Sequence, residues 1–185
     1  MKTIRVLAAL TAAPIAAATL IALPAHAAPT CPAPSKTELK GRTDRPAKGT
    51  RALKGVRVAH LPKGFTYGEL EASKHDGVTE YAYRWSDDRD DTDRAHRSLW
   101  VRVVCWPKAR DLKDLRKLPV ALGTFTSAGK PARLGGRKVL GKTGDGALGH
   151  GRYVGWVPRS GVVVTVMADQ PLIRDLPAIV KGIRV

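Results

Sequence analysis

Two apolar runs separated by a turn sequence constrain the fold of this chain more than any other feature. Residues 153–157 and 162–168 are rich in valine and aromatic side chains, which favour strands over helices. Between them stands Pro158-Arg159-Ser160-Gly161, in which proline presets the backbone of a turn and glycine closes it. The pattern predicts a β-hairpin whose second strand is buried at the centre of a sheet.

Further strand signals surround this hairpin. Alternation of apolar and polar residues predicts strands at residues 56–61, 79–85 and 99–106, and shorter strands at residues 121–127 and 137–140. In residues 99–106 apolar side chains fall on both sides of the alternation. Both faces of that strand should therefore be partly covered.

Two segments have the apolar spacing of helices. Residues 111–118 carry leucine at every third position after an aspartate, and residues 175–183 carry an apolar stripe after another aspartate. Aspartate commonly caps a helix N-terminus, and each apolar stripe needs a surface to cover. We therefore predict an α+β domain, an antiparallel sheet of about five to seven strands with two helices on one face.

The N-terminus has the features of a secretory signal peptide, residues 1–27. Lys2 and Arg5 precede an alanine-rich apolar stretch, and small residues near Ala27 predict cleavage after it. The alternative is a retained transmembrane anchor, which the alanine-rich composition and the cleavage site disfavour. No second apolar stretch of that length follows, so we expect a secreted mature chain with no transmembrane segment.

The two cysteines, Cys31 and Cys105, both lie beyond the predicted cleavage site. Disulfides persist in extracytoplasmic compartments, so we expect a bridge that attaches the N-terminal segment to the strand at residues 99–106. The alternative is lipidation of Cys31. Bacterial lipoproteins carry the cysteine directly after the cleavage site, whereas here residues 28–30 intervene.

Positive charge is the strongest feature of the composition. The formal net charge is +16, and removal of Lys2 and Arg5 with the signal peptide leaves +14. Residues 28–55 are basic, proline-rich and nearly free of large apolar side chains, which predicts a flexible, disordered arm before one globular domain at residues 56–185. The arm residues expected to bind a polyanion are Lys36, Lys40, Arg42, Arg45, Lys48, Arg51 and Lys54. The alternative is that the charge only keeps the domain soluble.

Two glycine motifs match nucleotide-binding patterns, but their contexts do not. Residues 136–143 spell the P-loop pattern and residues 144–149 spell the dinucleotide-binding pattern. Both sites need a helix whose N-terminus meets the phosphate. Here the P-loop pattern runs into further glycines, and a strand pattern follows the second motif. We therefore expect no cofactor.

No constellation of catalytic or metal-ligating residues stands out. Five aspartates crowd a loop, but they lack the glycine and glutamate of the helix-loop-helix calcium site, so a solvated loop is favoured: Asp87, Asp88, Asp90, Asp91 and Asp93. The histidines beyond the signal peptide stand singly, and no serine lies in a nucleophile elbow. The tryptophans on strands are expected to belong to the core.

Several segments resemble the uncharacterised small secreted proteins of actinobacteria. They are the signal peptide, the opening Leu61-Pro62-Lys63-Gly64-Phe65, the hairpin around residues 156–164 and the closing helix at residues 176–183. The resemblance covers residues 56–185 and implies an envelope or extracellular location and a mixed sheet-and-helix domain. It implies no activity, because such proteins carry none that is agreed.

These observations favour a binding protein over an enzyme. We expect an exported non-enzymatic protein that associates with an anionic wall polymer, a membrane surface or a secreted protein, with nucleic acid a less favoured partner. One alternative is a secreted hydrolase whose site is not visible in the sequence. The other is a secreted inhibitor or regulator of an extracellular protein.

Overall fold

The computed structural model describes Cys31 and residues 45–87, 95–120, 123–126, 129–144 and 151–185. Of these residues 47% lie in strands and 11% in helices. The strands are β1 (Arg57–Val58), β2 (Tyr67–His75), β3 (Val78–Ser86), β4 (Ser98–Cys105), β5 (Lys130–Leu134), β6 (Arg137–Thr143), β7 (Arg152–Arg159), β8 (Val162–Ala168) and β9 (Ile183–Arg184). The α-helix α1 spans Leu176–Gly182, and short 3-10 turns span Asp114–Lys117 and Gln170–Leu172.

Seven strands form one antiparallel sheet in the order β2-β3-β4-β8-β7-β6-β5, while β1 and β9 pair in a separate two-stranded ribbon. The predicted hairpin is β7–β8, and β8 is the middle strand, with every residue buried. Its turn is shorter than predicted. Pro158 and Arg159 belong to β7, and Ser160-Gly161 alone makes the turn, with Gly161 at a φ of 80°.

The sheet has a hydrophobic core on each face. We call the face that contains Val164 and Val166 of β8 the helix face, because α1 packs there through Leu176, Ile179 and Val180. The opposite face is the cover face, because residues 106–120 and 123–126, the cover segment, pack on it. The core of this face joins strand residues such as Val163 and Met167 of β8 with six residues of the cover segment: Trp106, Ala109, Leu115, Leu118, Val120 and Phe125.

The predicted fold class is wrong. The structure is mostly β, with a single α-helix in the described part of the chain rather than two helices on one face. The segment predicted as the first helix makes only the 3-10 turn Asp114–Lys117, and it lies on the cover face, opposite α1. Leucine at every third position fits the three residues per turn of a 3-10 helix.

The acidic side chains of that segment also favour turns over an α-helix. Asp111 Oδ1 accepts a hydrogen bond from Lys113 N at 2.7 Å. Asp114 Oδ2 accepts from Arg110 N at 2.6 Å and Asp111 N at 3.0 Å. Aspartates that bond nearby backbone in this way compete with helix formation.

The sequence patterns misjudged the strands at the margins of the fold. The strand predicted at residues 56–61 is only Arg57–Val58, and residues 123–126, the described part of another predicted strand, are not a strand. The long strand β2 was not predicted at all. It is an edge strand with a single buried residue, Gly68, so it carries little of the apolar alternation that marks a strand.

The predicted disulfide between Cys31 and Cys105 is present and ties the N-terminal segment to the end of β4. Residues 45–55 lie on the helix face, where Ala52 and Leu53 are buried in the core. Ala47 N donates to Tyr83 Oη at 2.7 Å, and Trp85 Nε1 donates to Ala47 O at 2.8 Å. Residues 1–30, with the predicted signal peptide, and residues 32–44 lie outside the described residues.

Gly155 of β7 lies under the cover segment, where a side chain does not fit. A Cβ at Gly155 would lie 2.8 Å from the Phe125 ring and 2.9 Å from Leu115 Cδ2. Replacing Gly155 with alanine should therefore lower the free energy of unfolding by about 1–3 kcal/mol. Gly141→Ala is the matched control, because its Cβ would meet Val154 at an ordinary 3.4 Å. Equal destabilisation of both variants in urea unfolding would contradict this packing.

Candidate functional site

Only half of the cover face is covered. Residues paired across neighbouring strands share a face, so Glu80 lies on the same face as Val104, its partner in β4, which belongs to the cover-face core. Farther toward the sheet edge this face is polar and open. A cavity of about 340 Å³, the open cavity, lies over β2, β3 and β4. The lining residues with polar side-chain atoms are Glu71, Ser73, His75, Glu80, Tyr81, Trp100 and Arg102.

A buried charge network forms the floor of the open cavity. Arg102 is only 3% exposed, and its Nη1 lies 3.0 Å from Glu80 Oε2. Its Nη2 donates to Tyr153 Oη at 2.8 Å, and its Nε donates to Thr165 Oγ1 at 3.1 Å. Burial raises the pKa of Tyr153, so its hydroxyl stays protonated. The guanidinium is thus held by groups from β3, β7 and β8, as a buried charge requires.

His75 closes one side of the open cavity. Its Nε2 lies 2.5 Å from Glu80 Oε1, and its Nδ1 lies 3.5 Å from Asp76 Oδ2. The hydrogen bond to Glu80 raises the pKa of His75. Because both ring nitrogens face carboxylates, neither is placed to activate Ser73, which also lines the cavity. A serine hydrolase needs that contact between nucleophile and base.

The carboxylates at the rim of the open cavity are unequally paired. Arg84 Nη2 lies 2.5 Å from Glu69 Oε2. Glu71 also lines the cavity, but no cationic side chain of the described residues forms an ion pair with it. Burial raises the pKa of Glu71, and the negative charges of Glu69 and Glu80 raise it further, whereas the positive charges of Arg84 and Arg102 lower it. Glu71 is therefore a carboxylate that would gain from a cationic partner.

Basic residues pair with each other at two places, one in the ribbon of β1 and β9 and one in the β5–β6 hairpin. Arg57 of β1 pairs directly with Arg184 of β9, and Arg133 of β5 pairs directly with Lys138 of β6. All four side chains are exposed, and none forms an ion pair with a described carboxylate. Like charges directly opposite each other in a sheet are destabilising. These two pairs are therefore expected to lower the free energy of unfolding. A function outside folding would explain why they are present.

Arg137 contacts the end of α1 on the helix face, whereas its neighbour Lys138 and the cross-strand partner Arg133 face the opposite side of the sheet. Arg137 donates to Val180 O at 3.1 Å and to Ile183 O at 2.5 Å, and its guanidinium lies 5.3 Å from the centroid of the Trp156 ring. Burial lowers the pKa of Arg137, and the charge of Arg184 lowers it further. We call these residues, with the exposed Lys181 of α1, the basic cluster: Arg57, Arg133, Arg137, Lys138, Lys181 and Arg184.

Charge is distributed unevenly along the sheet. Two basic residues lie in β5, three in β6 and two in β7, and these strands contain no aspartate or glutamate. By contrast β2 and β3 contain Glu69, Glu71 and Glu80. The basic end of the sheet is therefore β7-β6-β5, and the acidic end is β2-β3.

The predicted polyanion-binding residues fall in part within the structure. Arg45, Lys48, Arg51 and Lys54 are exposed, whereas Lys36, Lys40 and Arg42 lie outside the described residues. The sequence analysis missed the basic cluster and the open cavity, because their members come from distant segments. The sequence does carry one indication of the basic cluster, because residues 115–144 contain no acidic residue.

The residues of the P-loop pattern lie in a β-hairpin. Gly135-Gly136 makes the turn between β5 and β6, with φ values of 56° and 80°, as a tight hairpin turn of this kind requires. The lysine and threonine that end the pattern, Lys142 and Thr143, belong to β6. No helix begins there, so the backbone does not offer a phosphate the end of a helix dipole.

The acidic loop lies mostly outside the described residues, with only Asp87 inside them. Asp87 accepts hydrogen bonds from Arg97, from the backbone N and from Nε, each at 3.2 Å. His96 Nδ1 lies 3.4 Å from Asp87 Oδ1, the oxygen that also accepts from Arg97 N. Asp87 thus anchors the end of this loop to the start of β4.

Comparison with known proteins found no match, whether among family models, curated proteins or solved structures. None of the helices in the described ranges has the length and apolar character that crossing a membrane requires. The open cavity and the basic cluster are therefore the two candidate functional sites.

Proposed function

We propose that this protein is exported and acts without catalysis, binding an anionic polymer of the cell envelope through its basic cluster. The observation that carries the proposal is that like-charged residues are cross-strand neighbours twice, Arg57 with Arg184 and Arg133 with Lys138. Such contacts cost stability in the free protein. A bound polyanion would remove the repulsion and release its own counterions, which favours binding.

A polymer fits the cluster better than a single small anion does. The cations are spread over β1, β5, β6 and β9, and further exposed cations lie in the segment before β1: Lys48, Arg51 and Lys54. Repeated phosphates or carboxylates can meet many such charges at once. The signal-peptide pattern and the resemblance to small secreted actinobacterial proteins support a wall or membrane polymer over nucleic acid. The disulfide is compatible with this extracytoplasmic location.

Protection of sheet edges is a second reason for basic residues in β5. This strand is an edge of the large sheet and also contains Pro131, and both features discourage pairing with another sheet. That reason does not extend to Arg57 and Arg184, which lie in the separate ribbon of β1 and β9.

The test compares two variants that lose the same net charge. The cluster variant replaces four cations with glutamine: Arg57→Gln, Arg133→Gln, Lys138→Gln and Arg184→Gln. The control variant replaces four exposed cations elsewhere: Lys74→Gln, Lys108→Gln, Lys113→Gln and Lys117→Gln. Each protein is applied to immobilised poly(glycerol phosphate) and eluted with increasing salt.

The cluster variant should elute at lower salt than the unchanged protein. If each lost contact lowers the slope of log K against log salt by about 0.7, as for single-stranded nucleic acids, four contacts lower it by roughly 3. The control variant should keep most of the slope. An equal loss in both variants would show that only total charge matters, and absence of salt-sensitive retention of the unchanged protein would overturn the proposal.

A further inference from the structure

The two edges of the large sheet differ in how they are protected against pairing. The edge strand β5 contains Pro131, which has no backbone N–H, and the cations Lys130 and Arg133. The other edge strand, β2, contains no proline, and it pairs with β3 in one continuous register over nine residues. A long, regular edge strand is a template for pairing with another chain. The edge at β2 is therefore open to a partner strand.

Alternate residues of β2 turn their backbone groups away from β3. The two strands are joined by the two-residue hairpin turn Asp76-Gly77, with φ values of 46° and 74°. The flanking residues His75 and Val78 therefore form a hydrogen-bonded pair, and such pairs recur at every second residue. The N–H and C=O groups of the even-numbered residues of β2 consequently point outward. Within the described ranges no backbone hydrogen bond outside the strand ladders reaches these outward groups.

The accessible part of this edge is centred on Ala72. Gly68 is buried, and a Cβ at Gly68 would lie 2.9 Å from Pro46 Cα, so the segment before β1 covers the start of the strand. Farther along, Leu70 is half-buried, and Ala72 and Lys74 are exposed. These three residues are the ones whose outward groups a partner strand can reach.

We propose that β2 pairs antiparallel with β2 of a second copy of this chain, with a two-fold axis at Ala72, and that the two large sheets become continuous. Ala72 then lies opposite Ala72 of the second copy, and Leu70 lies opposite Lys74 of the second copy. Each of these pairs exchanges two main-chain hydrogen bonds. Addition of a strand to an exposed edge gains its affinity mainly from such bonds.

The charges of β2 favour the register that is centred on Ala72. In this register Glu69 lies opposite His75 of the second copy, and Glu71 lies opposite Ser73 of the second copy. Moving the axis to Glu71 would set two Glu71 carboxylates directly opposite each other, and moving it to Leu70 would set Glu69 opposite Glu71. Like charges placed directly opposite are destabilising. Moving the axis the other way would run the pairing into the hairpin turn.

The charge of the whole molecule favours the same edge. The formal net charge is +16, so two copies repel each other in most orientations. The opposite end of the sheet, β5 to β7, contains only basic residues among its charged ones. By contrast β2 contains two glutamates and one lysine. Two copies therefore meet with least repulsion when their β2 edges face each other.

The first experiment is sedimentation velocity of the protein over a series of concentrations. The unchanged protein should pass from monomer to dimer as the concentration rises. Ala72→Pro should raise the dissociation constant of the dimer roughly tenfold or more, because it removes a hydrogen-bond donor at the axis. The lost N–H points away from β3, so the β2–β3 pairing survives, as proline at a solvent-facing position of an edge strand allows.

Two lysine variants form the matched comparison, because they add the same charge at neighbouring exposed residues. Ala72→Lys places two ammonium groups opposite each other at the axis and should weaken the dimer. Ser73→Lys places its ammonium opposite Glu71 of the second copy and should leave the dimer unchanged or tighter. Urea unfolding of each variant at low concentration checks that the monomer is folded. If Ala72→Pro fails this check, the two lysine variants decide the test.

A monomer at every concentration would overturn the proposal, and so would a dimer that folded Ala72→Pro leaves intact or equal weakening by the two lysine variants. The proposal goes beyond polyanion binding and does not depend on it. The variant of the basic cluster should still dimerise, and monomeric Ala72→Pro should still be retained on poly(glycerol phosphate) in a salt-dependent way. Failure of one proposal therefore leaves the other intact.

Discussion

Replacing Arg102 with methionine is expected to lower the free energy of unfolding by about 3–5 kcal/mol. The substitution leaves the buried Glu80 carboxylate with His75 but without the Arg102 guanidinium, and it removes the donors that satisfy Tyr153 and Thr165. Burial decides the size of the effect, since Arg102 is 3% and Glu80 is 7% exposed. Urea unfolding, with the slope checked for a change in the denatured state, measures the loss.

The double variant Arg102→Met with Glu80→Met separates the cost of an orphaned charge from the loss of packing. Replacing both members of a buried ion pair with apolar residues of similar size is often close to neutral. The double variant should therefore be more stable than Arg102→Met alone. If the losses of the two single variants simply add, the two side chains are not coupled as the 3.0 Å contact indicates.

Removing the disulfide is expected to cost about 4 kcal/mol in the chain-entropy account, because it closes a loop with a sequence separation of 74. The variant is Cys31→Ser with Cys105→Ser, and thermal or urea unfolding measures the loss. The reduced form of the unchanged protein is the control, and it should match the variant.

Residues 45–55 also attach the N-terminal segment to the domain, and this attachment opposes a large effect of removing the disulfide. They attach to the helix face through Ala52 and Leu53 and through the hydrogen bonds of Ala47. If these contacts already restrain the N-terminal segment, the reduced protein will lose less than about 1 kcal/mol, in contradiction to the prediction. A large loss would show that the bridge supplies much of the stability of the whole domain.

The sequence predicted best the elements whose pattern depends on burial. Residues 162–168 are apolar except for Thr165 because β8 has a core on both faces, and α1 shows helical spacing because one side of it covers the sheet. The same reasoning failed for β2, whose edge position demands little apolar alternation, and for residues 111–118, whose leucine spacing suits a 3-10 turn as well as a helix.

The sites were harder to predict than the core, for a different reason. The open cavity depends on Arg102, which the sequence placed in a strand but could not pair with Glu80, Tyr153 and Thr165 from three other strands. The basic cluster likewise joins Arg57 near the start of the fold to Arg184 at its end. The charges were visible in the composition, but their neighbours were not.

The sequence by itself determined the local and compositional properties of this protein: a central buried strand, a closing helix, two cysteines able to pair, and a large positive charge. Only the tertiary structure decided which face each segment covers and which charges meet. The physical reason is strand register, because a shift of one residue sends every side chain of a strand to the other face. Register and strand order are set by contacts between distant segments, and those contacts bring Glu71 and Trp100 to the lining of one cavity and set basic residues opposite each other elsewhere in the fold.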